Sequence, residues 1–235
     1  MQPINIFIAT YLRQEFTRKC IQYLKERTKY PYKLWILDNG GNEEFKTQVD
    51  HYVGFKENIG IHGLWNTALA LTDSELFITT DNDLLVPDLD PDWLTQLVGI
   101  MDKNPEYGAV SLHPHIFIGA ANVDSLTSAD LVERNMCGAV FRVMRRSSVW
   151  QAGGWENKIE AGRNHEERWI CSRLQSNGYK TGIAPKLRAY HMFGDNWGYP
   201  ESFTPEMQKH NPDLKEYVKQ FDQIEGYNPK TWFPK

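Results

Sequence analysis

The strongest constraint on the fold is an alternation of short apolar segments with amphipathic segments between Ile4 and Leu112. The apolar segments are rich in β-branched residues and predict buried strands, while the amphipathic ones carry apolar residues at helical spacing. The predicted strands are Ile4 to Thr10, Tyr32 to Leu37, Tyr52 to Phe55, Glu75 to Thr80 and Tyr107 to Leu112. The predicted helices are Glu15 to Lys29, His62 to Leu71 and Asp92 to Lys103. Such alternation predicts an α/β fold with a mainly parallel sheet flanked by helices.

The second half of the chain is less regular. It contains a predicted long loop (Pro114 to Asn135), a strand (Cys137 to Met144), a helix (Ser147 to Ala152), a helix (Glu166 to Ser176) and one or two strands (Tyr179 to His191). From Asp195 onward the chain is aromatic and contains prolines, with one amphipathic helix predicted near Leu214 to Ile224.

The composition is that of a globular protein with its own core, since 41% of the 235 residues are hydrophobic and 24% are charged. A net charge of −4 gives no sign of a basic face for nucleic acid. We expect no transmembrane segment and a cytoplasmic location, because no apolar run is long enough and residues 1–5 do not resemble a signal peptide. The three cysteines indicate core residues or free thiols rather than a disulfide framework or a zinc site.

Polar clusters directly follow three of the predicted strands. They are Thr10-Tyr11, Asp38-Asn39 and Asp81-Asn82-Asp83. Ligands of open α/β sheets bind at the carboxyl ends of the strands, so these clusters predict one shared binding site.

Asp81 and Asp83 predict a site for a divalent cation. Two carboxylates two positions apart at a strand end can face one hard cation, which would neutralise a departing diphosphate. A solvated turn is the alternative, because Asp and Asn are common turn formers. A calcium-binding loop is excluded, because Leu85 occupies a ligand position and the required glycine is missing.

The order and spacing of several motifs resemble family 2 glycosyltransferases, which have the GT-A fold. On the donor side the motifs are Ile6-Phe7-Ile8-Ala9-Thr10-Tyr11-x-Arg13, Leu37-Asp38-Asn39, Asn58-Ile59-Gly60, Asn66 and Thr80-Asp81-Asn82-Asp83. On the acceptor side they are Gly153-Gly154-Trp155 and Glu166-Glu167-x-x-Ile170-x-x-Arg173-Leu174-x-x-x-Gly178. The match runs from about residue 4 to residue 192 and implies one GT-A domain over 1–195, with a nucleotide-sugar half (1–113) and an acceptor half (114–195). Residues 196–235 form an extension, which we interpret as a candidate lid.

The resemblance implies roles on the donor side. Thr10, Tyr11 and Arg13 would line the nucleotide pocket, and Asp81 and Asn82 would also bind the donor. Asp38 would accept a hydrogen bond from the base, which favours uracil and hence a UDP-sugar; a turn-forming role for Asp38 stays open. Asn58 and Asn66 would support the nucleotide or its loop, although Asn66 also suits a helix cap. Mn²⁺ or Mg²⁺ would be held by Asp81 and Asp83, with His191 as a third metal ligand or a structural residue.

The resemblance also implies a catalytic pair, Glu166 and Glu167. Glu167 would take the proton of the acceptor hydroxyl, giving an inverting transfer, and Glu166 would be oriented to the donor sugar or the acceptor. The family pattern has Asp where this chain has Glu167. Both residues also suit the first turn of a helix, where negative charge opposes the helix dipole.

The predicted function is therefore metal-dependent transfer of a sugar from a nucleotide-diphosphate donor to an acceptor hydroxyl. The alternatives are a retaining GT-A transferase and a non-catalytic module that binds sugar nucleotides or glycans. The acceptor classes left open are a glycan, a lipid-linked sugar and a protein, with modified nucleic acid disfavoured by the acidic balance.

Overall fold

The computed structural model describes residues 2–11, 14–41, 43–114, 129–156 and 166–191. The strands are β1 (Ile4–Thr10), β2 (Tyr32–Asp38), β3 (His51–Gly54), β4 (Leu76–Asp81), β5 (Leu84–Leu85), β6 (Tyr107–Pro114), β7 (Val132–Glu133), β8 (Arg142–Arg145) and β9 (Lys180–His191). The helices are α1 (Gln14–Arg27), α2 (Gly60–Leu71), α3 (Trp93–Lys103), α4 (Arg146–Gln151) and α5 (Glu166–Ser176), with a 3₁₀ turn at Glu43–Phe45.

The strands form one sheet in the order β3-β2-β1-β4-β8-β6-β9-β5, and β7 pairs with β9. Strands β3, β2, β1 and β4 are mutually parallel, and so are β6 and β9. Strand β8 runs antiparallel to both β4 and β6, and β5 and β7 run antiparallel to β9. The predicted α/β class is confirmed, and the sheet is parallel in its first half and mixed beyond β4.

Strand β1 shows why the central strands are largely apolar on both faces. Ile4, Ile6 and Ile8 pack on one face of the sheet with α1 and α3, whereas Phe7 and Ala9 pack on the other face with α2, α4 and α5. Side chains of a strand alternate between its faces, so a strand covered on both sides needs apolar residues at nearly every position.

The strand register brings the predicted polar clusters to one edge. Thr10 lies opposite Asp38 across the β1–β2 pair, and Ala9 lies opposite Asp81 across the β1–β4 pair. The carboxyl ends of β1, β2 and β4 therefore meet at the same edge of the sheet, as predicted from their parallel order.

The helix predictions are confirmed to within two residues at each end, and α5 has the predicted bounds. At α3 the predicted first residue, Asp92, is the N-cap, and its side chain accepts hydrogen bonds from the backbone N–H groups of Leu94 and Thr95. The helix predicted near Leu214 to Ile224 and the candidate lid over 196–235 lie outside the described residues.

Two predictions for the second half were wrong. The strand predicted from Cys137 to Met144 begins only at Arg142, because Phe141 has a left-handed backbone with φ of 44° that interrupts an extended chain. The predicted loop from Pro114 to Asn135 contains the short strand β7, while residues 115–128 lie outside the described part.

All three cysteines are buried and free, as predicted. The Sγ atoms of Cys137 and Cys171 nevertheless lie 3.6 Å apart, a contact that their separation in sequence conceals. Within the described ranges, no helix is both long and apolar enough to span a membrane.

Candidate active site

The turn after β4 carries the two aspartates predicted to bind a cation. Asp81 ends β4 and is partly exposed, whereas Asn82 and Asp83 are buried in the turn that leads to β5. The main chain of His191 pairs with Leu84, the residue that follows Asp83. The side chain of His191 lies outside the described residues, so its role as a metal ligand stays a prediction.

The charges around Asp81 are mostly negative. Burial, together with the carboxylates of Asp83, Glu166 and Glu167, raises the pKa of Asp81 well above its ordinary value, and Arg142 acts in the opposite direction. Repulsion between neighbouring carboxylates is relieved when one of them binds a proton or when a cation binds between them. Carboxylate oxygens are ligands that hard divalent cations prefer. Among the described side chains, no group of three or more His, Cys, Asp or Glu forms a ready metal centre. The pair Asp81 and Asp83 thus fits an ion that takes its other ligands from a diphosphate and water.

Asn82 lies under the site and is held by two threonines. Its amide donates to Thr17 Oγ1 at 2.8 Å and to Thr10 Oγ1 at 3.1 Å, and the two hydroxyl oxygens are 2.8 Å apart. These three polar residues are buried, so they tie β1, α1 and the turn after β4 together. The contacts of Thr10 and Asn82 with a donor stay predictions.

Replacing Thr17 with valine should destabilise the protein by about 1–3 kcal/mol, because the amide of Asn82 loses a buried acceptor. The measurement is the free energy of unfolding from urea denaturation. Thr67→Val is the matched control, since the Thr67 hydroxyl only donates to the Gly63 carbonyl within α2. We expect the control to change stability by less than about 0.5 kcal/mol. Equal losses in the two variants would contradict the role of Thr17.

Asp38 closes the turn after β2. Its Oδ1 atom accepts the Gly40 N–H at 2.8 Å, and its Oδ2 atom accepts the Tyr52 hydroxyl at 3.0 Å. Burial and the Asp38 carboxylate raise the pKa of Tyr52, which keeps that phenol protonated as a donor. The turn-forming role of Asp38 is therefore present, and the hydrogen bond to a uracil base stays a prediction.

The asparagines around this turn shape the start of α2. Asn39 Oδ1 accepts the Ile59 N–H at 3.1 Å, and Asn58 Oδ1 accepts the Gly60 N–H at 2.8 Å. Gly60 has φ of 73°, a conformation that glycine adopts without strain. Asn58 thus supports the loop beside the carboxyl ends of β1 and β2, and its contact with a nucleotide stays a prediction.

The first residue of α5, Glu166, is buried in a polar network. Its Oε2 atom lies 3.1 Å from the Arg142 Nη2 atom and accepts the indole N–H of Trp155 at 3.0 Å. Arg142 is fully buried on β8. Glu166 is therefore turned into the protein and engaged by two side chains that the motif comparison had not linked to it.

Glu167 lies on the other side of this network, close to the turn after β4. Its Oε1 atom accepts the Ala139 N–H at 3.1 Å, and the Ala139 carbonyl accepts the Asp81 N–H at 3.2 Å. Burial and the charge of Glu166 raise the pKa of Glu167. Ala139 thus connects the predicted metal ligand with the predicted base through its own peptide groups.

Asn66 binds the Gly-Gly-Trp motif. Its Nδ2 atom donates to the Trp155 carbonyl at 2.9 Å, and its Oδ1 atom accepts the Trp155 N–H at 2.9 Å. Gly154 has φ of 65°, and a Cβ there would lie 2.8 Å from Asn66 Oδ1. The amide of Asn66 therefore positions Trp155, and its predicted support of the nucleotide is untested.

The remaining predicted pocket residues are only partly covered. Tyr11 is partly exposed at the end of β1, and Arg13 lies outside the described residues. Four residues of this site were not predicted from the sequence: Thr17, Tyr52, Ala139 and Arg142. Thr17 and Arg142 could have been identified as polar residues at positions of α1 and β8 where the pattern calls for apolar ones. Ala139 acts through its backbone groups, so its residue type gives no signal.

Residues 5–129, more than half of the chain, match the protein family described as Glycosyl transferase family 2. A search of curated proteins by sequence gives no match.

Several solved glycosyltransferase structures share the fold. The Staphylococcus aureus TarS 1-349 structure superposes with a TM-score of 0.63 at 11% identity, over 83% of this chain and 63% of that one. The mannosyltransferase PcManGT of Pyrobaculum calidifontis, solved with GDP-Man and Mn²⁺, has a TM-score of 0.64 at 16% identity, over 92% of this chain and 69% of that one. GalNAc-T7, solved with UDP, GalNAc and Mn²⁺, has a TM-score of 0.66 at 12% identity, over 96% of this chain and 58% of that one. At these identities the likeness concerns the GT-A fold, and the chain spans less than two thirds of the TarS and GalNAc-T7 chains.

Proposed function

Because this chain belongs to glycosyl transferase family 2 and is a glycosyltransferase of the GT-A kind, we propose that it transfers a sugar from a UDP-sugar to an acceptor hydroxyl with inversion, in a metal-dependent reaction. The observation that carries the proposal is the link through Ala139. It joins Asp81, beside the donor end of the sheet, to Glu167 at the start of α5. This link supports a site in which the proposed metal ligand and the proposed base act on the same donor and acceptor.

Asp81 and Asp83 would hold Mn²⁺ or Mg²⁺. The donor set fits such an ion, because it consists of carboxylates, and desolvation together with the nearby negative charges raises the pKa of Asp81. When bound, the ion would supply Lewis-acid neutralisation of the leaving diphosphate. The Mn²⁺ in the PcManGT and GalNAc-T7 structures supports this choice of cation.

Glu167 would accept the proton of the attacking hydroxyl. The Ala139 N–H holds one of its carboxylate oxygens, which leaves the other oxygen for the acceptor. Its raised pKa brings the base closer to neutral pH, which favours general-base catalysis. A base acting on the acceptor, with no covalent intermediate, leads to inversion at the anomeric carbon.

The donor nucleotide would lie along the ends of β1 and β2. Asp38, the last residue of β2, would accept the imide N–H of the base there. UDP or UDP-GlcNAc in TarS and UDP in GalNAc-T7 support uridine, whereas GDP-Man in PcManGT keeps guanosine as the competing base. A glycan, a lipid-linked sugar or a protein would provide the acceptor hydroxyl.

Calorimetric titration of UDP and of GDP, with and without Mn²⁺, tests the donor site. We expect UDP to bind only with Mn²⁺. Asp83→Ala should weaken that binding by more than about a hundredfold, because mutating a residue that only hydrogen-bonds to a metal ligand already lowers metal affinity by about 10–100-fold. Asp88→Ala removes an exposed carboxylate from the loop that follows β5 and should leave the affinity unchanged. Absence of nucleotide binding under every condition would refute the proposal, and preferential binding of GDP would refute the choice of uridine.

A further inference from the structure

Arg142 lies where a charged side chain is costly. It is fully buried in the middle of the sheet, opposite Thr79 of β4. Its neighbour on the same face, Met144, packs in the apolar cluster with α2, α4 and α5. Removing a guanidinium from water costs several kcal/mol, and a buried ion pair often contributes no net stability over apolar residues of similar size. The protein therefore has a reason other than stability to keep an arginine at this position.

The contacts of Arg142 reach both structures that surround Glu167. Its Nη2 atom pairs with Glu166 Oε2 at 3.1 Å at the start of α5, and its Nη1 atom donates to the Cys137 carbonyl at 3.4 Å. Cys137 begins the irregular segment that contains Ala139, the residue whose N–H binds Glu167. The guanidinium of Arg142 therefore links the start of α5 to the 137–141 segment.

The pairing of Glu166 also determines where Glu167 points. Glu166 is buried and has two partners, Arg142 and Trp155, which fix the rotation of the first turn of α5 about the helix axis. Consecutive helix residues project about 100° apart, so this rotation also sets the direction of the Glu167 side chain. The second partner of Glu166, Trp155, is itself held by Asn66 on α2. Gly138 allows the close approach of Glu167, since a Cβ at Gly138 would lie 3.2 Å from Glu167 Oε1.

We infer that Arg142 is a positioning residue that acts through Glu166 and the Cys137 carbonyl to hold the Glu167 carboxylate against the Ala139 N–H. The inference rests on the proposed role of Glu167 as the base. It also reassigns Glu166, which serves as the internal anchor of α5 and does not contact donor or acceptor.

The test removes the buried pair without leaving a lone charge. Arg142→Met alone would strand Glu166 and could unfold the protein. The double variant Arg142→Met/Glu166→Gln avoids this, because glutamine keeps an oxygen for the Trp155 indole. The matched control removes an exposed ion pair, Lys180→Met/Glu133→Gln, whose charged atoms lie 3.0 Å apart on β9 and β7. Arg142→Lys keeps the charge but not the fork of donors.

Two readouts are measured on folded protein. The first is sugar transfer: we expect the double variant to lose about a hundredfold in kcat with little change in the donor KM, as an enzyme does when a reacting group shifts by about 1 Å. Arg142→Lys should lose less kcat than the double variant does. The exposed-pair control should have the kcat of the wild type. The second readout is amide hydrogen exchange at Ala139, which should accelerate by more than about tenfold in the double variant only.

A folded double variant with wild-type kcat and unchanged Ala139 exchange would overturn the inference. An equal loss of kcat and of donor affinity would also overturn it, since that pattern reports a general structural defect. If the wild type transfers no sugar from any donor, the proposed function fails. The Ala139 exchange then decides alone whether Arg142 holds Glu167.

Discussion

Replacing Glu167 with glutamine should lower kcat for sugar transfer by about 10²–10⁴-fold, because the acceptor hydroxyl loses the group that takes its proton. Glutamine has nearly the shape of glutamate and keeps an oxygen for the Ala139 N–H. The affinity for UDP and Mn²⁺ should therefore stay at the wild-type value. Steady-state kinetics and calorimetry on the same preparation measure the two effects separately.

The pH dependence gives an independent check on Glu167. The base must be ionised, and burial and the charge of Glu166 raise its pKa above the 4.5 of an ordinary glutamate. Activity should therefore fall as pH drops, with a midpoint above that value. Glu106→Gln, which alters an exposed carboxylate before β6, should leave both kcat and the pH profile unchanged. Retention of more than about a tenth of the wild-type kcat by Glu167→Gln would contradict the assignment.

Asp81→Asn should abolish transfer and at the same time stabilise the metal-free protein. Losing a ligand to the cation removes several kcal/mol of charge stabilisation at the diphosphate, so kcat/KM should fall by more than about a hundredfold. Without metal, the ionised Asp81 is largely desolvated and lies near Asp83, Glu166 and Glu167, and desolvation together with these carboxylates raises its pKa well above its ordinary value. Asparagine relieves this repulsion, and the Tm of the metal-free protein should rise by roughly 2 °C or more.

The sign of the stability difference follows from linkage. A carboxyl whose folded pKa is raised destabilises the folded state when it is ionised; this penalty is full above the folded pKa and shrinks to zero as pH falls from the folded pKa to below the unfolded pKa. The Tm advantage of Asp81→Asn should therefore be largest at neutral pH and shrink in acid. UDP with Mn²⁺ should raise the Tm of the wild type but not of Asp81→Asn. A lower Tm for the metal-free variant at neutral pH would contradict the repulsion.

The polar clusters at the strand ends could be predicted because their signals are local. Strand β1 is apolar at nearly every position since it is covered on both faces, and that pattern is visible in seven consecutive residues. Once the strands are known to be parallel, their carboxyl ends must share an edge, and Thr10, Asp38 and Asp81 follow without further information. The limits of α5 were equally local, with acidic residues in its first turn and Gly178, at φ of 84°, just beyond its end.

The 137–141 segment shows where prediction from sequence fails. Its apolar residues resemble a strand, yet Ala139 exchanges hydrogen bonds with Asp81 and Glu167, far away in the chain, and Phe141 adopts a left-handed conformation. Backbone contacts of this kind depend on which elements pack nearby, and residue types do not encode them. The short contact between Cys137 and Cys171 arises for the same reason.

The sequence by itself determined the α/β alternation and the shared edge of the strands where Thr10, Asp38 and Asp81 lie, because local periodicity and strand order are enough for these features. The roles of Glu166 and Glu167 were predicted from the family resemblance alone. Only the tertiary structure decided which of these polar groups face inward. It placed Asn82 between two threonines, bound Asn66 to Trp155 and paired Glu166 with Arg142. The physical reason is that a buried polar group must find its partner across the fold, and that partner depends on packing between elements distant in sequence.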